Sequence, residues 1–212
     1  MAAFFANLRN TVIAGIVLAV IMFLIYLQMQ GYDSNLFWRF LFRWLHVISG
    51  IMWIGLLWYF NFVSTPTMPK IPAELKPALG RYITPAALFW FRWGAMFTLV
   101  FGLLLAWSND WSLKTYLVPV ITIDASEGFV NPAFVSMGIA VWFALIMWFN
   151  VWFVIWPNQQ KALNIDNRYP DLAQPQKDTA AKTAGMFSRI NTMLSIPMLF
   201  GMVATAHLYG QI

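Results

Sequence analysis

Both histidines in this 212-residue chain lie inside strongly apolar segments: His46 in WLHVISGIMWIG (44–55) and His207 in MLFGMVATAHLYG (198–210). An imidazole in hydrocarbon is costly unless something binds it. Two of them on separate spans are the ligand set that clamps a haem iron from both faces. Next to His46, Ser49 at i+3 and Gly50 at i+4 narrow the following turn and let a flat ring lie close. Arg43 at i−3 and Arg39 at i−7 share that face and supply the cations that haem propionates need. Val203 and Ala204 leave similar room beside His207, and Pro197 is expected to kink the helix below it. The predicted cofactor is one b-type haem between His46 and His207, with Arg39, Arg43 and Gly50 completing its site. Two imidazoles alone make a poor zinc centre.

Three more polar residues fall in apolar surroundings. Arg92 lies in LFWFRWGAMF (88–97), and Asn150 and Asn191 occupy later spans. Polar groups in lipid mark function by default, so the three are predicted to line an inner-half site for a quinone head or an anionic substrate. The structural alternative is that Arg92 snorkels to an interface and the asparagines bond across helices.

These residues need membrane-spanning elements to position them. Hydrophobic residues make up 60% of the chain and charged residues 10%, against about 25% charge in a soluble domain. The chain is therefore predicted to be all-α, a bundle of five transmembrane helices in a single domain. At about 20 residues per crossing, the spans fall near 11–30, 38–61, 84–107, 133–156 and 185–209. The first is expected to be a retained helix rather than a signal peptide, because no small-residue cleavage site follows it. The 62–83 loop carries Lys70, Lys76 and Arg81 against Glu74, and the 157–184 loop carries Lys161, Arg168, Lys177 and Lys182. The 108–132 loop holds Asp110, Asp124 and Glu127 against Lys114. The positive-inside rule then predicts a cytoplasmic N-terminus and an external C-terminus. Both histidines fall in the outer half, at depths about one helical turn apart. Within the outer loop, YLVPVITI (116–123) is too short to span and is expected to form a lid or strand-like cap. The 157–184 segment is expected to be a polar loop on the cytoplasmic surface.

The absence of cysteine excludes covalent c-type haem, cysteine-ligated iron–sulfur clusters, disulfides and thiol catalysis. The net charge of +5 is spread over short loops and reads as a topology signal, with no nucleic-acid partner.

RWLHVISGIMWIG (43–55), FWFRWGAMFTLVFG (89–102), VWFVIWPNQQK (151–161) and NTMLSIPMLFGMVATAH (191–207) together resemble the N-terminal membrane domain of the bacterial membrane-bound urate oxidase family. The resemblance covers roughly 36–209, four of the five spans, and it matches His46 and His207 to histidines of the family. It implies a bacterial inner-membrane location and electron delivery to a cytochrome c. In the family a c-type cytochrome domain follows, whereas these 212 residues hold neither that domain nor a cysteine. The family also tends to have a histidine where this chain has Ile190 and an aromatic where it has Met193.

The function expected is therefore a b-type haem redox subunit passing electrons to a cytochrome c or a larger respiratory complex. The alternatives are a urate oxidase-type membrane enzyme using a separate cytochrome c, and a haem-free accessory subunit of a larger membrane complex.

Overall fold

The computed structural model describes residues 2–108 and 116–209. Asp110 and Lys114 of the acidic loop, and the C-terminal Ile212, lie outside the described residues. Five helices are long and apolar enough to cross a membrane: α1 (Leu8–Gln30), α2 (Ser34–Lys70), α3 (Lys76–Ser108), α5 (Pro132–Leu163) and α6 (Gln174–His207), with a short α4 (Leu117–Ile121) between the third and fourth of these. The predicted spans lie within these helices to within two residues at each end. No strand occurs among the described residues.

The chain divides into two compact units, Met1–Trp38 and Arg39–Ile212. In the first, the Asn7 side chain caps α1 by accepting from the Arg9 N–H, and Gly31 closes it in a positive-φ conformation (φ 78°). Helix α1 buries none of its residues in the protein. Its sequence is apolar on every side, the pattern of a span that lipid covers.

The second unit is a four-helix antiparallel bundle. Helices α2 and α3 run past each other with Arg39 meeting Ser108, His46 meeting Gly102, Gly50 meeting Thr98 and Trp53 meeting Gly94. Helices α5 and α6 do the same through Ala133 with Thr205, Ser136 with Gly201 and Asn150 with Asn191. Trp58 and Asn61 of α2 donate to Ser195 and Ser188 of α6, at 2.9 and 2.8 Å. The ring closes where Arg92 and Trp93 of α3 meet Trp152 of α5. Close approach comes from small residues, as it must where lipid is as apolar as the side chains. A Cβ on Gly201 would sit 2.9 Å from the Ala140 Cβ, and one on Gly94 would sit 3.1 Å from the Trp53 backbone nitrogen.

Three of the four helices contain a π segment: Tyr59–Ser64, Leu79–Ile83 and Asn150–Ile155. A π turn breaks the regular ladder and strands carbonyls. Asparagine amides take some of them. Asn61 donates to the Leu57 carbonyl and Asn158 to that of Val154.

Three expectations are corrected. The 62–83 and 157–184 segments are largely helical, because their helices run on past the apolar stretch. Only about the ten residues from Asn164, a left-handed cap (φ 47°), to Ala173 separate α5 from α6. The 116–123 cap is helical, not strand-like. Helix α4 lies across α5, where the Val120 carbonyl fills the space above Gly138 and Trp142 donates to the Ile121 carbonyl. A side chain at 138 would push it off.

Candidate functional site

His46 is half-buried between α2 and α3. Its Nδ1 is 2.8 Å from the Thr98 carbonyl oxygen. A carbonyl can only accept, so Nδ1 carries the proton and Nε2 presents its lone pair. This is the arrangement that orients a histidine to ligate a metal, with the far ring nitrogen anchored on a backbone carbonyl. Gly102 makes it possible: a Cβ there would sit 3.1 Å from both Cε1 and Nδ1 of the ring. Its signal in the sequence is a glycine within an apolar helical run, FGLLL (101–105). At Gly50, the glycine expected to make room for a ring, an added Cβ would meet Thr98 Cγ2 at an ordinary van der Waals distance of 3.9 Å. It shortens no contact.

His207 is exposed and lies in a shallow apolar groove with Leu199, Phe200, Val203, Ala204 and Leu208 of its own helix. Register places it level with His46. Trp58 meets Ser195. His46 stands twelve residues before the first, and His207 twelve residues after the second, each about 18 Å along its helix. The two imidazoles thus share a level but not a face, since one is turned to α3 and the other away from the core. Among the described residues, no three metal-ligating side chains of the His, Cys, Asp and Glu types come together.

The arginines above His46 have structural partners. Arg39 donates through Nε to the Ser108 carbonyl at 3.2 Å, where a cation caps the negative end of α3. Arg43 is exposed and acts electrostatically on Tyr116, the buried residue at the base of the lid. Burial pushes the Tyr116 hydroxyl up to about 12, and the positive charge of Arg43 offsets only part of that. In the lid itself, Asp124 is buried in a left-handed conformation (φ 55°) and accepts the Asn131 N–H at 2.8 Å.

The structure brings Asn150 and Asn191 together and gives Arg92 other partners. Asn150 Nδ2 donates to Asn191 Oδ1 at 2.8 Å, and Asn191 Nδ2 donates to the Met147 carbonyl at 2.9 Å. Both side chains are fully buried, so this pair is the interhelical bond of the structural alternative. Arg92 lies sixteen residues from each end of α3. Its guanidinium carbon lies 3.7 Å from the Trp156 ring centroid and 5.3 Å from that of Trp152, a cation–π contact on two faces. The Arg92 Nε has no acceptor among the described residues, and neither do the indole N–H groups of Trp53, Trp148 and Trp152. Each buried orphan donor costs about 1–3 kcal/mol.

Comparison with family models, with curated proteins and with solved structures gave no match for this chain.

Proposed function

We propose that this chain is a multi-pass subunit of a bacterial inner membrane that binds one b-type haem and passes electrons to a cytochrome c or a larger respiratory complex. Its N-terminus is cytoplasmic and its C-terminus external, on the strength of the basic and acidic loops. The observation that carries the reading is the bond between His46 Nδ1 and the Thr98 carbonyl, which fixes the tautomer and leaves Nε2 free for iron. His207, level with it, would be the second residue to hold the iron in this reading. Arg43, exposed one turn above His46, suits a propionate better than Arg39, which is already bonded to Ser108. A haem held there would supply one-electron transfer near the outer face. The protein's own part is to hold the imidazole, keep water from it with apolar helices, and present a cation at the rim.

A second reading is favoured by one observation. His46 and His207 face different ways, as expected of a haem-free subunit packed into a larger membrane complex. An absorption spectrum of the purified protein, oxidised and reduced, separates the two. Sharp reduced-state bands support the haem reading, and a colourless protein after expression with ample haem supports the accessory subunit. Reduction of that haem by urate identifies a urate oxidase-type enzyme instead.

A further inference from the structure

The four orphan donors come from three helices, Trp53 from α2, Arg92 from α3, and Trp148 and Trp152 from α5; Arg92, at the edge of the group, also feels the charges of Asp166 and Arg168 in the turn after α5. Trp53 packs on Gly94, two residues from Arg92. Arg92 lies on Trp152, and Trp148 is one turn away on the same helix. The three tryptophans belong to a single apolar cluster. Trp53 is 1% exposed. Helix α5 opens into its π segment, Asn150–Ile155, between Trp148 and Trp156, and such segments are frequent at functional sites.

We propose that this mid-bundle belt binds the headgroup of an oxidised quinone. The proposal does not rest on the haem reading. The buried side-chain atoms left without a partner among the described residues are all donors, and the two asparagines bond to each other and to the Met147 carbonyl. No carboxylate occurs in α2, α3 or α5, the one in α6, Asp178, is thirteen residues from Asn191, and Asp166, whose charge reaches Arg92, is exposed beside Arg168 in the turn after α5 and away from the indoles' own helices. The matching ligand has acceptors and no donors. An oxidised quinone has two carbonyls on opposite edges of a flat ring, so donors from facing helices are met together. Its ring suits the indole walls, and its isoprenoid tail suits the exposed flanks at Trp90, Phe149 and Phe153. A quinol brings two hydroxyl protons that find no free acceptor in this set. Water satisfies the donors but brings two protons of its own.

The test titrates the full-length protein in detergent with decylubiquinone and with its quinol. Saturable binding of the quinone, tighter than the quinol, is expected. Trp53→Phe and Trp152→Phe keep an aromatic six-membered ring and delete the N–H donor, and each should weaken quinone binding at least about tenfold and bring it toward that of the quinol. Each also trims a packed indole, so some loss of quinone-free melting temperature is expected; the ratio of quinone to quinol affinity, which a packing defect alone leaves unchanged, carries the test. A second readout covers variants that fail to fold. In the ¹⁵N-labelled wild type the indole resonances of Trp53, Trp148 and Trp152 should shift on adding quinone, while that of the exposed Trp107 stays still. Absence of saturable binding, equal affinity for quinol, wild-type affinity in both variants, or unmoved indole resonances would each overturn the proposal.

Discussion

The histidine end of the bundle and its middle treat buried polar groups in opposite ways. At the histidine end the side chains that turn inward lean on backbone carbonyls: His46 on that of Thr98 and Arg39 on that of Ser108. In the middle, two asparagines satisfy each other while four donors on three helices are left over. A backbone carbonyl anchors one nitrogen of a two-nitrogen ring and leaves the other available. The amide pair instead spends its bonds on holding two helices together. The comparison teaches that a buried polar residue in a span marks a site only through the valence its partners leave unused.

Breaking the closed pair should have the largest effect on folding. Asn191→Leu strands the Asn150 amide and removes one of the donors to the Met147 carbonyl, and should cost about 2–4 kcal/mol in denaturant unfolding. The double variant Asn150→Leu/Asn191→Leu should recover part of that loss. Additive losses in the double-mutant cycle would show that the two do not act as a pair. Next is the glycine beneath the imidazole. Gly102→Val should cost about 1–3 kcal/mol and displace the His46 ring, so a haem-loaded protein should lose or broaden its reduced bands. An unaltered spectrum and stability would mean that the ring does not rest on Gly102. Arg39→Gln removes the cap on Ser108 and should cost about 0.5–1 kcal/mol, with haem content unchanged. Loss of haem would return Arg39 to a propionate role.

The last effect is a pH dependence, confined to strongly alkaline solution. The folded state holds Tyr116 neutral to about 12, while the unfolded chain ionises near 10.0. The unfolded state therefore binds fewer protons between those values, and stability should fall as pH rises from about 10 to about 12. Tyr116→Phe should flatten that slope, and an unchanged slope would place the titrating group elsewhere.

The helix count and the span positions were legible because a run of about 20 apolar residues has few other fates. The extensions past each span were not, since segments such as WPNQQKAL are too polar to read as membrane and too short to read as separate helices. The histidine pair was visible by type and depth. Its facing was not, because the acceptor that fixes His46 is a backbone carbonyl, and every residue carries one. Gly102 could have been found by asking which glycine on a neighbouring span stands opposite His46, but that needs the register between helices. The orphan tryptophans were hidden by their own abundance: twelve in the chain read as interface belts and packing. Only the fold separates the buried ones from those facing lipid.

The central claim is that His46 is poised as an iron ligand, and the most direct test is the reduced-minus-oxidised spectrum of wild type beside His46→Ala and His207→Ala. Wild type should show the sharp bands of a low-spin haem with both axial positions filled and bind little carbon monoxide. His46→Ala should be colourless. His207→Ala should lose the haem too or retain a five-coordinate iron that binds carbon monoxide. A wild-type protein without haem after expression with ample supply, or a normal spectrum in both variants, would contradict the account.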